Sequence, residues 1–303
     1  GIHWTFAPML DIARDARWGR IAEGLGEDPH LGAVLGAAMV HGFQGDSISA
    51  RDSIAACAKH YVGYGAAEGG RDYNTTWIPE NLLREVYLPP FRAARDAGVA
   101  TFMSGFNDLN GVPASGNEFT LRQILRNEWK FTGLVVSDYT SIVEMIPHGY
   151  AADASDAALK GIKAGVDMEM VSTSYWDRVK SLVDSGKLDL SLVDGAVRNI
   201  LRVKFELGLF DRREQPVPGS EMAPSADALE IARRLATESL VLLKNREGVL
   251  PLSKSIASVA VIGPLADSQA DQMGTWSMNG LVKAVRTPLT ELRERLGPSR
   301  IVS

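Results

Sequence analysis

Short apolar runs alternate with longer amphipathic stretches over most of the chain, and nearly every apolar run breaks off at polar side chains. Five runs read as strands. Trp4–Leu10 ends at Asp11, Ala55–Ala58 ends at Lys59-His60, and Val99–Ser104 runs into Gly105-Phe106-Asn107-Asp108. Leu134–Val136 ends at Ser137-Asp138-Tyr139, and Val166–Val171 is the fifth. Runs this short, bounded by glycine and polar residues, predict strands buried on both faces. The spacing between them predicts helices over His30–Gly42, Pro79–Ala97, Leu121–Asn127, Ala154–Ala164, Tyr175–Ser185 and Leu190–Leu207. Pro79 at the start of one and Gly98 just past its end are ordinary helix punctuation. Strand–helix alternation with polar strand ends predicts an α/β fold, a (β/α)8-type TIM barrel with its working loops at one face. Such a barrel needs ~250 residues, so its N-terminal strands are expected to be missing, lying before Gly1.

The pattern changes near Asp211. Residues 211–225, rich in Pro and charge, have no apolar period and read as a linker. A helix over Ala226–Leu243 and a strand over Val259–Ile262 followed by a Gly263-Pro264 turn then predict the beginning of a second α/β sandwich domain. The expected organisation is a truncated barrel over 1–210, the linker, and 226–303. Because both ends look cut, a missing leader carries no information about location.

Composition narrows the chemistry. A net charge of −5 over 303 residues argues against a nucleic-acid footprint. No apolar run approaches the ~20 residues that span a bilayer, so no membrane segment is expected. The single cysteine, Cys57, lies in an apolar run and reads as an inert buried thiol. No Cys/His spacing suits zinc and no Walker-type glycine loop is present, so neither a metal nor a cofactor is expected.

The barrel reading gathers Asp11, Arg20, Lys59, His60, Asn107, Asp108 and Asp138 at one mouth. Basic groups beside carboxylates and aromatic residues suit a polyhydroxylated ligand, with Trp18 or Tyr139 packing on a sugar ring. Neighbouring Lys and Arg are expected to lower the pKa of a carboxylate and keep it ionised, as a glycosidase nucleophile requires. The alternative for Asp138 is a cap on a helix starting near Ser141. Glu68 and Asp72 read as loop charges.

Three groups of residues, in order, carry a family likeness. They are Ala7-Pro8-Met9 with Arg17-Trp18-Gly19-Arg20 and Glu27-Asp28-Pro29, then Lys59-His60-Tyr61, then Gly133–Tyr139. Gly165-Val166-Asp167-Met168, Glu238–Asn245 and Gly263–Asp267 continue it. Together they resemble glycoside hydrolase family 3, most nearly its bacterial periplasmic β-glucosidases. The resemblance implies a retaining exo-β-glycosidase that releases nonreducing-end β-D-glucosyl residues through a covalent intermediate on Asp138. It implies that Arg20, Lys59 and His60 hold the sugar and that Met170 walls its subsite. Tyr139 stands where Trp is common. Phe106 stands where some members carry a Tyr that contacts the nucleophile, and Phe cannot donate that bond. Tyr64 occupies the position of the acid/base His of the family's N-acetylglucosaminidases, which argues against that activity.

The resemblance further implies a β-linked oligosaccharide or glucoside as substrate, a periplasmic or secreted location, and an acid/base Glu supplied by the remainder of the same polypeptide. A homodimer is among the partner expectations. The competing readings are a β-xylosidase or mixed-specificity enzyme, a non-catalytic sugar-binding module, and a barrel lyase using Lys59 as a Schiff base.

Overall fold

The computed structural model describes residues 2–211, 224–274, 277 and 280–303. The chain forms two compact units, Gly1–Gln215 and Pro216–Ser303. Most of the expected linker, and Trp276, lie outside the described residues.

The first unit is built on a parallel sheet. Its strands are β1 (Cys57–Tyr61) and β2 (Thr101–Ser104), then, beyond a small antiparallel hairpin of β3 (Asp108–Leu109) and β4 (Val112–Pro113), β5 (Leu134–Tyr139) and β6 (Met168–Met170). The order in the sheet is β1-β2-β5-β6, all parallel. The chain before Asp11 lies extended along β1. Ala7 and Pro8 carbonyls accept from Cys57 and Lys59 amides at 2.8 and 3.1 Å, and Leu10 donates to Lys59 at 2.6 Å. Proline limits this segment to isolated bridges rather than a full strand. The sheet does not close on itself among the described residues. What the structure carries of the expected barrel is an open parallel α/β layer.

Helices cover the sheet in the expected alternation. The first, α1 (Pro29–Gln44), starts with Pro and is capped by Asp28, whose carboxylate accepts the His30 and Leu31 amides at 2.7 and 3.2 Å. A Cβ on Gly36 would come within 2.5 Å of Leu10, so glycine lets α1 sit directly on the first segment. The helix expected over Pro79–Ala97 is broken. A short turn, α2 (Glu80–Leu82), leads into a wide turn over Leu83–Tyr87, where the Leu88 amide reaches back to Leu83, and then into α3 (Pro89–Asp96). Pro89 and Pro90 cannot donate, and the wider turn absorbs the interruption. The helices α4 (Ala154–Ala164), α5 (Ser174–Asp184) and α6 (Leu190–Glu206) follow the sequence pattern closely.

In the second unit, α7 (Ala226–Glu238) stops short of Leu243. There β7 (Val259–Ala260) pairs in parallel with β8 (Ile301–Val302) across α8 (Pro288–Leu296), a β-α-β connection.

One buried ion pair ties the start of β5 to β6. Asp167 accepts from Arg126 at 2.7 Å, from the Val135 amide at 2.8 Å and from Asn199 at 3.0 Å. Arg126 also donates to the Phe131 and Gly133 carbonyls. Burial raises the Asp167 pKa and lowers that of Arg126, and the charge of each partner only partly offsets the shift of the other. Arg126→Ala leaves that carboxylate buried without its counter-charge. It should cost about 3–5 kcal/mol in urea unfolding, with Arg126→Ala/Asp167→Ala costing less than the sum of the singles.

Candidate active site

The polar strand ends converge at the C-terminal edge of the sheet. Asp138 is the penultimate residue of β5 and is buried. Its Oδ1 accepts the Tyr139 amide at 2.7 Å. Its Oδ2 is buried and has no hydrogen-bond partner. His60 Nε2 stands 3.3 Å from that oxygen, without hydrogen-bond geometry. The helix-cap alternative is excluded, because the next helical turn covers only Val143–Met145 and takes no bond from the Asp138 side chain.

His60 is itself 1 % exposed and fixed from behind. Asp11 Oδ2 accepts the His60 backbone amide at 3.0 Å and lies 2.8 Å from ring Nδ1. With Nδ1–H given to Asp11, Nε2 is the ring atom left facing Asp138. Three elements, the segment before Asp11, β1 and β5, therefore deliver one row: Asp11, His60, Asp138.

Arg20 sits in the turn Gly19–Glu23 and is held by Glu23 through two parallel bonds, Nε to Oε1 at 2.7 Å and a terminal nitrogen to Oε2 at 2.9 Å. Arg20 and Lys59 both act on Asp138 through their charges, and Lys59 and His60 act on Glu23. Even so, the Asp138 pKa is raised rather than lowered. Burial dominates, and His60, the Tyr139 amide, Arg20 and Lys59 only partly offset it. The expected lowering fails because the sequence could not show how completely β5 removes this carboxylate from water.

Other expected residues divide. Tyr139 is 57 % exposed at the end of β5. Thr140, in the left-handed conformation, turns the chain just beyond it and donates its amide to the Met170 carbonyl at 3.1 Å. Met170 is half-buried beside Cys57, Met103 and Val136. Phe106 is buried, with its ring 4.4 Å from Tyr73 and 5.7 Å from Tyr64. Trp18 is 1 % exposed, so it is no platform for a sugar. Asn107 and Asp108 serve the local fold. Asn107 donates to Thr76 and to the Val62 carbonyl, while Asp108 accepts from Thr75 at 2.7 Å and from the Gly111 amide at 2.9 Å. Cys57 is buried and its thiol pKa is pushed up to about 12 by desolvation, so it stays protonated.

Sequence reasoning gave no role to Glu23 or Glu144. The three-residue offset of Glu23 from Arg20 was the only signal for the first. Glu144 accepts from Thr140 at 2.9 Å, has a buried unpartnered Oε2, and feels the charge of Asp138; burial raises its pKa. Among the described residues the orphaned buried side-chain oxygens are those of Asp11, Asn107, Asp138 and Glu144. Asp138 lies in β5, Asn107 between β2 and β3, and Glu144 in the turn Val143–Met145, and no group of three or more His, Cys, Asp or Glu among the described residues suits a metal.

Residues 1–203 match the glycosyl hydrolase family 3 N-terminal domain and residues 240–300 its C-terminal domain. A periplasmic β-glucosidase of Salmonella typhimurium is 43 % identical over 98 % of this chain and 40 % of its own length. A β-xylosidase of Formosa agariphila is 38 % identical over 92 % of this chain and 41 % of its own. A β-glucosidase from Listeria innocua, solved in complex with glucose, superposes with a TM-score of 0.92 at 41 % identity, covering 99 % of this chain and 42 % of that one. A mutant of the Listeria enzyme was solved with laminaribiose. The chain thus spans about two fifths of the length of these relatives.

The electrostatics of Asp138 have a measurable consequence. Its folded pKa is raised above the unfolded value of ~3.9, so the stability gained on protonation is complete below that value and is lost as pH rises through the folded pKa. At neutral pH the charge is therefore a burden on folding. Asp138→Asn should melt at a higher temperature than the parent at pH 7, with the gap closing on acidification. A lower melting temperature at pH 7 would contradict burial as the dominant influence.

Proposed function

The chain belongs to glycosyl hydrolase family 3, and on that premise we propose that the complete protein is a retaining exo-β-glucosidase with Asp138 as its nucleophile. The observation that carries this is the Asp138 carboxylate. One oxygen is anchored to the Tyr139 amide, and the other is buried, unbonded and aimed beside His60 at the end of a parallel strand. A nucleophilic carboxylate needs one lone pair uncommitted and its orientation fixed.

In this mechanism Asp138 Oδ2 attacks the anomeric carbon of a nonreducing-end β-D-glucosyl unit. The bond to the aglycone oxygen breaks, and that oxygen takes a proton from the general acid. Water, giving a proton to the deprotonated acid, then attacks the anomeric carbon from the face opposite the ester; the bond to Asp138 breaks, so two inversions give net retention. Arg20, Lys59 and His60 hold the sugar hydroxyls, and Phe106, Met170 and Tyr139 wall the subsite. The acid/base Glu comes from the part of the polypeptide outside this chain. The same reading makes the sheet over 1–210 part of a (β/α)8 barrel truncated at its N-terminus. Two features support it: β6 lies at an edge of the sheet, and a groove of about 500 Å³ beside it is lined by Met168, Tyr175, Trp176, Val193 and Ile200. A second, α/β sandwich domain over 226–303 belongs to the same proposal.

Glucose in the Listeria structure and laminaribiose in its mutant support a β-glucoside substrate, and the Salmonella relative supports a periplasmic location. The β-xylosidase relatives keep xylosides as the nearest alternative substrate.

The full-length protein should hydrolyse p-nitrophenyl β-D-glucoside with the β-anomer of glucose as first product by NMR. Asp138→Ala should lower kcat ~10,000-fold. Azide added to that variant should yield α-glucosyl azide, because the small anion enters on the face the carboxylate vacated. First formation of α-glucose would overturn the retaining mechanism.

A further inference from the structure

Arg20 lies over the ring of Tyr64, its guanidinium carbon 5.6 Å from the ring centroid, and His60 meets the same ring edge-on at 5.3 Å. One aromatic side chain thus touches two of the groups proposed to hold the sugar. Tyr64 is fully buried, so its hydroxyl needs a partner inside the protein. It donates to Asp72 Oδ1. The same oxygen accepts the indole N–H of Trp18 at 2.9 Å, and Trp18 packs edge-to-face on Tyr64 at 5.1 Å. Trp18 immediately precedes the turn that carries Arg20, and Tyr64 begins the turn that follows β1 and His60. The loops meet so closely that a Cβ on Gly70 would come within 2.7 Å of the Trp18 amide nitrogen, and Gly70 also has φ +67°. Asp72 is an exposed residue by area, yet one of its oxygens closes a buried contact between two loops.

We propose that Asp72 is a positioning residue. Through a single carboxylate oxygen it locks Trp18 and Tyr64, and through the Tyr64 ring it sets where Arg20 and His60 stand relative to the bound sugar. The proposal rests on the β-glucosidase reading for the identity of that sugar. Loss of the acceptor leaves a buried hydroxyl and a buried indole N–H unpaired. The ring then shifts or tilts, and the guanidinium above it moves with it.

The test uses the full-length protein with Asp72→Ala, Asp72→Asn and Tyr64→Phe. Glucose affinity is read by titration calorimetry, and KM and kcat with p-nitrophenyl β-D-glucoside. Asp72→Ala should weaken glucose binding and raise KM on the order of 10-fold, with a smaller loss in kcat. Asp72→Asn keeps an acceptor oxygen and should recover most of the affinity. Tyr64→Phe keeps the ring, loses only the hydroxyl and should weaken binding in the same direction, which decides the matter if Asp72→Ala does not fold. Unchanged glucose affinity in either Asp72→Ala or Tyr64→Phe overturns the positioning role, whatever happens to the melting temperature. A parent protein that binds xylose instead of glucose overturns the substrate assignment alone, and the same variants are then read with xylose. A parent that binds neither sugar overturns both.

Discussion

The burial of His60 between two carboxylates is the constraint on which the site depends. Asp11 grips the residue twice, by backbone amide and by ring nitrogen, and the far side of the ring faces Asp138. Groups of this kind stay out of water only when their partners are fixed, since an unpaired buried charge is costly. The fixing comes from the sheet. The segment before Asp11 bonds to β1 up to Lys59, β1 pairs with β2, and β2 pairs with β5, so the three side chains arrive in one row without any loop having to find them.

The same geometry sets the electrostatics. Arg20 and Lys59 bring positive charge towards Asp138, but Arg20 is already paired with Glu23, which shares out its field. Burial then outweighs the remaining attraction, and the Asp138 pKa rises. The result is a carboxylate that is poorly solvated, with one oxygen left unbonded. Among the described residues, buried oxygens of Asp11, Asn107, Asp138 and Glu144 lack donors. A buried unsatisfied oxygen is a cost to folding that a hydroxyl donor from a ligand can relieve.

Much of this was legible in the chain. Abrupt transitions such as Val135-Val136-Ser137-Asp138 and Ala58-Lys59-His60 placed polar groups at strand ends, and those strands do pair in parallel. Helix ends were readable where a glycine marked them, as at Gly165. Where proline intervened, at Pro8 and at Pro89-Pro90, the pattern promised a regular element and the backbone made an irregular one. Closure of the sheet was not legible as an observation, because it depends on strands beyond the five that the pattern revealed. Trp18 and Asp72 exchanged their apparent roles for a reason no linear pattern carries. The indole turned inward because a carboxylate 54 residues away accepts its N–H. The direction of the Asp138 pKa is not legible for a similar reason. Neighbouring charges can be counted from sequence, whereas desolvation depends on how deeply the strand end is covered.

The central claim is that the unbonded oxygen of Asp138 forms the covalent bond to the sugar. The most direct measurement is to incubate the full-length protein with a 2-deoxy-2-fluoro-β-glucoside carrying a good leaving group, digest it, and sequence the labelled peptide by mass spectrometry. The account predicts a single fluoroglucosyl ester on Asp138, within the peptide that contains Ser137 and Tyr139. A label on Glu144, Asp11 or any other carboxylate, with Asp138 unmodified, would contradict it.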